Sequence, residues 1–497
     1  MARDGPSAVA NAAKRAPGST GAPLKTVEEL SEAIGWSWYQ WRLFLFVGLC
    51  VAADSVEVNL LSFISVEATR DWQVEEFWED TIAAAVFGGE VVGCALFGLF
   101  ADRYGRLPAF LSGVAFVSAF GIASSLAGNL AQLIVMRFGV GVGIGGFSVP
   151  FDLLAETCPA SIRGLVLCAL WTFWTFGSVA LNVLAAHCLR DEDGPGGRDP
   201  LGWRWLTFLA AVPPVISLCG IYVVDESPSW LAARGRHAEA REIILRAAKA
   251  NGVEMDDDFE VAPEPENEAG VAQLFDESNV FRTTCLWLLN FLTHFGYYGV
   301  VLFLPRILGA SAEDPYNFDA LLLSCVGEVL GAFIACYFVQ RVTRRKLLGW
   351  SALILAFSMP IVLMRGVPSW AMMGAALVAR GAANTCSSLT WIVTPEGYNV
   401  DVRATGHSWG NLLARVGALS TTYWGGAAIA EPVKVSSYVA AAAMVVAVAV
   451  HMPNGVMRGS EPSAEGRGEG EGEGEDSTDA ARKTRKGGNY GAAGGRK

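Results

Sequence analysis

Twelve mostly apolar stretches follow one another along the chain, near 42–66, 80–101, 107–127, 130–154, 164–188, 203–224, 283–307, 319–340, 347–365, 369–394, 404–428 and 433–452. A helix of about 20 apolar residues crosses the hydrocarbon core of a bilayer. Backbone polar groups find no water there, so each stretch has to satisfy its own hydrogen bonds as a helix. Only 17% of the 497 residues are charged and 52% are hydrophobic, against about 25% charged in soluble proteins. This excludes a soluble enzyme or a disordered regulator and predicts an all-α membrane protein of twelve transmembrane helices.

A hydrophilic segment carrying Asp256, Asp257 and Asp258 separates the sixth stretch from the seventh and divides the spans into two six-helix bundles. The expected domains are an N-terminal tail (1–38), a first bundle (39–226), a central loop with short helices (227–280), a second bundle (281–452) and a disordered tail (453–497). Ser227-Pro228 reads as an N-cap with proline at the first helical position, and a second helix runs from about Arg236 to Asn251-Gly252. Short loops on one side are richer in Lys and Arg, with Arg103, Arg106, Arg163, Arg341, Arg344, Arg345, Lys346 and Arg403 among them. The positive-inside rule then places that side, both termini and the central loop in the cytoplasm. Residues 1–38 show no secretory apolar core, so the first span is expected to direct insertion. Most of the ten cysteines fall within apolar runs, and no disulfide framework is expected.

The halves repeat. Shifting span two onto span eight by 238 positions superposes Gly89, Glu90, Val91, Gly93, Arg103 and Arg106 on Gly327, Glu328, Val329, Gly331, Arg341 and Arg344. At an offset of 240, Glu156 and Arg163 match Glu396 and Arg403. Such repeats mark transporters with a solute site between the halves.

Ionisable residues inside spans cost about 2.5–3.5 kcal/mol each on insertion scales and call for a partner or a watery cavity. Asp54 and Glu57 project about one helical turn apart from one face of span one. Two neighbouring carboxylates in low dielectric resist joint ionisation, so one of them is expected to carry a proton, with Arg137 as counter-ion. A purely structural ion pair is the alternative. Glu90 and Glu328 fit either proton coupling or packing of the interface between halves. His294, Tyr297 and Tyr298 on span seven are candidate cavity residues, although a lone histidine also fits a hydrogen-bonded structural role.

The segment Gly98-Leu-Phe-Ala-Asp102-Arg103-Tyr-Gly105-Arg106 closes span two. Asp102 sits badly at its own helix's C-terminus and well for capping another span entering from the same face, with Gly98 allowing close approach. Here the chain resembles the major facilitator superfamily. Arg137-Phe-Gly139-Val-Gly141-Val-Gly143 resembles that family's fourth-span motif. Glu226-Ser227-Pro228 with Gly235-Arg236, and Pro395-Glu396-Gly-Tyr398 with Arg403-Ala-Thr-Gly406, resemble the sugar and organic-ion porter signatures. Ala53-Asp54-Ser55-Val56-Glu57-Val58 and Tyr297-Tyr298-Gly299 are most similar to the synaptic-vesicle-2-related transporters. Gln340 and Thr343 replace the family's Asp and Gly in the second copy of the inner motif, so the inner gate is expected to latch mainly through the first copy.

The resemblance implies a secondary active transporter, not an enzyme, moving a small organic ion, sugar or phosphate-class solute by alternating access and coupled to protons. The other reading is a non-transporting membrane receptor or vesicle protein on the same fold. No Walker-type loop and no His/Cys ligand spacing occurs, so neither ATP nor a metal or other cofactor is expected. Solute, protons and the lipid bilayer of a plasma membrane or endomembrane are the expected partners, without nucleic acid, for a chain acting as a monomer.

Overall fold

The computed structural model describes residues 23–189, 202–256, 258–263, 271–276, 279–308, 316–362, 367–398, 402–429 and 432–451. The expected acidic tail and its Glu-Gly alternation, Asp257 and the Pro263-to-Val271 connection apart from its ends lie outside them. Helices occupy all twelve expected places. Span one is Trp38–Asp71, span two Phe77–Tyr104, span three Arg106–Ser125, span four Leu130–Thr157, span five Ala160–Leu189 and span six Gly202–Gly220. Span seven is Val280–Leu308, span eight Phe318–Phe338, span nine Arg344–Val362, span ten Ser369–Glu396, span eleven Arg403–Ile429 and span twelve Pro432–His451. Among the described residues, spans one to nine are long and apolar enough to cross a membrane by length and composition alone. Span ten is more polar because Arg380, Asn384, Thr385, Ser387, Ser388, Thr390 and Thr394 are buried in protein, where lipid does not meet them.

The glycines of the internal repeat have a common physical role. A Cβ on Gly89 would lie 2.2 Å from the Phe138 carbonyl oxygen, and one on Gly93 2.1 Å from that of Val142. A Cβ on Gly327 would lie 2.0 Å from the Leu377 oxygen, and one on Gly331 2.4 Å from that of Gly381. Span two thus rests backbone to backbone on span four, and span eight on span ten. Lipid supplies no hydrophobic force between helices, and such close approach is how membrane helices gain packing energy.

The two halves meet at both ends. At the end carrying the Asp102 motif, called the motif end here, Cys168 of span five lies 3.6 Å from Cys336 of span eight. Phe151 and Trp171 of the first half pack at a tilt against Trp391 of the second, at 5.7 and 5.2 Å between ring centroids. At the opposite end Phe63 packs on Tyr316 and Phe318.

The N-terminal tail and central loop, expected as separate segments, form one unit. Residues Leu24–Lys25 pair in parallel with Glu260–Val261, and Val27, Leu30 and Ile34 of the helix Val27–Ile34 share an apolar cluster with Leu231, Ile243, Ile244 and Phe259. The physical reason is amphipathicity: Val27–Ile34 buries one stripe and exposes the rest. The helices Pro228–Ala233 and His237–Asn251 stand where Ser227-Pro228 and Gly252 predict. Glu32 accepts from the Ser161 hydroxyl and from the Ser161 and Ala160 backbone at the start of span five, which holds its carboxyl below the usual glutamate range.

Gly93→Ala and Gly331→Ala should each lower stability by about 1–3 kcal/mol, read as a drop in melting temperature, whereas Gly88→Ala, with open space around its Cβ position, should not lower it and gains up to about 1 kcal/mol of helix propensity. Because the bound form of Glu32 is the ionised one, its contribution is present above the unfolded-state pKa and is lost as pH falls through the lowered folded value. Hydrogen-exchange protection over residues 24–34, corrected for the intrinsic rate at each pH, should therefore fall at acid pH in the wild type, and already be reduced at neutral pH in Glu32→Gln.

Candidate functional site

Three guanidiniums and four carboxylates are buried near mid-depth among the described residues: Arg137, Arg380 and Arg415 with Asp54, Glu57, Glu90 and Glu328. Their positions follow from the helices, since Asp54, Glu90, Glu328, Arg380 and Arg415 all stand near the midpoint of their spans.

Glu57 accepts from Arg137 Nη1 at 2.8 Å, and Arg137 Nε donates to Ser124 Oγ at 2.9 Å. The other Glu57 oxygen faces Gly121 of span three, so this pair lies inside the first half. Asp54, although it shares span one with Glu57, points elsewhere. It takes a long 3.5 Å contact from Arg415 Nη2, while Arg415 Nη1 lies 2.9 Å from Glu90 and 3.0 Å from the Tyr298 hydroxyl. The expected pair relieved by one arginine therefore exists with different members: Asp54 and Glu90 share Arg415, and Arg137 belongs to Glu57 alone. A three-residue spacing turns side chains by about 300° around a helix, enough to point neighbours of one turn into different environments.

Glu328 pairs with Arg380 Nε at 3.1 Å. Arg380 Nη2 crosses to the first half, donating to Asn59 Oδ1 at 3.1 Å and Ser178 Oγ at 2.9 Å. Asn384 donates to Thr175 Oγ1 across the same interface at 3.2 Å. Tyr297 accepts from the Trp174 indole, and His294 Nδ1 lies 2.9 Å from its own helix's Asn290 carbonyl while Nε2 has no hydrogen-bond partner. Sequence reasoning missed Arg380 and Arg415. The signal was present, because both are charged residues well inside apolar stretches, the same rule that drew attention to Glu90.

At the motif end the expected cap differs. Asp102 pairs with Arg106 at 2.8 Å with most of its side chain exposed, and nothing lies within 4 Å of a Cβ on Gly98. Gly105, at φ 114°, reverses the chain between spans two and three. The N-terminus of span three is capped instead by Glu226, which accepts from the Arg106 and Leu107 backbone N–H groups at 2.9 and 3.2 Å and from Ser227 N–H at 2.9 Å. The chain leaving span six runs directly under that helix start, which puts Glu226 closer than Asp102. Asp102 contributes its carbonyl, which accepts from Trp230 Nε1 and Arg234 Nη2 at 3.0 and 2.7 Å. Glu156 accepts from Ser227 Oγ and lies 3.6 Å from Arg106 Nε. Arg163 reaches Glu28 of the tail helix at 3.4 Å, and Arg103 is exposed beside Tyr104.

In the second copy Arg344 pairs with Glu396, and Arg341 folds back onto the Tyr337 carbonyl and ring. Arg403 opens span eleven; its side chain lies outside what is described. The first copy thus joins spans two, three and four to the central helices, and the second joins span nine to span ten through Arg344 and Glu396.

The profile of the family described as "Sugar (and other) transporter" matches residues 56–451. The chain belongs to that family. It is 27% identical to the synaptic vesicle 2-related protein of Xenopus laevis over 80% of this chain and 74% of that one. It is 27% identical to the putative transporter SVOPL of Homo sapiens, over 79% of this chain and 84% of that one, and 26% identical to the niacin transporter NiaP of Acinetobacter baylyi, over 77% and 85%. Its fold is similar to the proton:xylose symporter XylE, a major facilitator superfamily protein (TM-score 0.66, 18% identity, 82% of this chain and 94% of that one). It is also similar to the partially occluded inward-open form of XylE from E. coli (TM-score 0.65, 18% identity, 83% and 97%). The family and several of these relatives are named as transporters, and this member of the family is a multi-pass membrane protein of the major facilitator fold.

Glu226→Ala removes the acceptor of three backbone N–H groups, whereas Asp102→Asn removes one exposed ion pair. The former should cost about 1–2 kcal/mol and the latter at most about 1 kcal/mol, in melting temperatures compared at one detergent concentration.

Proposed function

We propose that the protein is a proton-coupled secondary transporter of a small solute, worked by alternating access of residues 39–226 against residues 281–452, with the motif end cytoplasmic. The observation that carries this reading is the charge tally at the interface. Arg415 of the second half is the shared counter-ion of Asp54 and Glu90 of the first. Separating the halves breaks both contacts together and would leave two carboxylates in low dielectric without a cation. A proton taken up by one of them offsets that cost, so proton occupancy and the position of the halves are linked. Arg380 adds a second tie, releasing Asn59 and Ser178 as it withdraws.

Support for a small polar solute comes from relatives named for niacin and, at the level of fold, for xylose. Glu57 and Arg137, enclosed within the first half, hold spans one, three and four in register and set the orientation in which Asp54 faces outward to Arg415.

The test is uptake into vesicles holding the purified chain, with niacin, xylose and a panel of organic ions, and with an imposed pH gradient. Wild-type uptake of a transported solute should rise severalfold with the gradient. Asp54→Asn should flatten that response while solute exchange at equal pH persists. An Asp54→Asn variant that kept the full response would remove the shared carboxylates from the coupling. A chain that moves no solute of the panel would remove the transporter reading.

A further inference from the structure

We infer that the central site takes an organic cation, which occupies the Asp54–Glu90 position in exchange for the proton, entering from the end opposite the motif. This rests on the transporter reading above and assigns its solute class and the direction of coupling.

Two independent observations carry it. The first is the stoichiometry. Glu57 with Arg137 and Glu328 with Arg380 are balanced one to one, whereas Asp54 and Glu90 share Arg415. The site therefore holds one negative charge in excess. Asp54 Oδ1 and Glu90 Oε1 are buried and have no hydrogen-bond partner, as is also true of Glu57 Oε1 and the Glu328 oxygens, but only at Asp54 and Glu90 does open acceptor capacity coincide with excess charge. An anion placed there would add to the imbalance. A proton or a cation removes it, and because either one suffices, the two exclude each other.

The neighbours do not supply the missing charge. Beside Asp54 on span one lie Cys50 and Glu57, the latter already paired with Arg137. Span two adds Cys94, span seven adds Tyr298 and His294, and span eleven adds Arg415 itself. The Phe87 and Tyr298 rings, 4.9 Å apart between centroids, stand beside the site and offer π surfaces that attract a cation.

The second observation is a cleft on the same four helices. It is a shallow, solvent-open indentation, with room for about one water, lined by Ser62 and Ser65 of span one, Glu79 and Asp80 of span two, Leu302 of span seven and Thr422 of span eleven. Spans one, two, seven and eleven also bear Asp54, Glu90, Tyr298 and Arg415. Ser62 stands eight residues beyond Asp54 along span one, about 12 Å at 1.5 Å per residue. The cleft lies on the side of the site away from the motif end, with the Glu79 and Asp80 carboxylates in its wall.

One ring in three charge states tests the inference: nicotinate, nicotinamide and 1-methylnicotinamide are an anion, a neutral molecule and a permanent cation of nearly one shape. Vesicles containing the chain are loaded at acid pH, the membrane potential is clamped, and proton efflux is followed with an internal dye after each compound is added outside. 1-Methylnicotinamide should accelerate efflux severalfold over the other two, and its apparent affinity should weaken as the outside pH falls. Asp54→Asn should abolish the acceleration. Glu79→Gln combined with Asp80→Asn, remote from the central site, should raise the concentration needed for half the effect and leave the maximum unchanged.

If the cation does no more than nicotinamide, or if nicotinate drives the larger proton movement, the inference is overturned. Proton movement driven by nicotinate, nicotinamide or xylose would leave the transporter reading standing; none from any of these compounds would overturn both. Half-saturation for the cation unaltered in the Glu79 and Asp80 double variant would overturn the assigned entrance.

Discussion

Charge at the centre of a low-dielectric bundle is the constraint on which the rest of this structure depends. Each buried guanidinium or carboxylate is tolerable only beside a partner, and here the partners are distributed over both halves of the chain. Arg415 reaches from span eleven to spans one and two, and Arg380 from span ten to spans one and five. Some of the contacts that make burial tolerable, those of Arg415 above all, are therefore contacts that hold the halves together, and any opening of the bundle there changes the electrostatic state of its centre. In a soluble enzyme water would blunt that link.

The glycine contacts explain why these charges stand where they do. Backbone approach of span two to span four fixes the rotation of span two, and with it the direction of Glu90. Span eight on span ten does the same for Glu328. From this near-symmetric frame the two glutamates part company: Glu90 pairs across the interface with Arg415, whereas Glu328 pairs within its half with Arg380. A symmetric scaffold thus carries an asymmetric charge pattern, balanced on one side and one negative charge in excess on the other.

The motif end is asymmetric in a related way. The tail helix, the loop helices and the ends of spans two to five are stitched into one layer through Glu226, Glu156, Glu28 and Glu32. That layer belongs to the first half. The second half meets the first near this layer through contacts such as Cys168 with Cys336.

The sequence by itself determined the membrane class, the number of spans, their division into two repeats and the short helices after span six. These depend on local properties: run length, charged breaks, Ser227-Pro228 and Gly252, each readable without knowing what lies beside it. It also marked Asp54, Glu57, Glu90, Glu328 and Arg137 as costly and in need of partners. Which partner each takes was decided only by the tertiary structure, because pairing depends on helix rotation and on contacts between residues hundreds of positions apart, such as Asp54 with Arg415. The same holds at the motif end, where the sequence marked Asp102 as a cap for some other span and the fold brings Glu226 to the start of span three. A helix end accepts whichever carboxylate the fold delivers to it, and that delivery is a property of the assembled bundle.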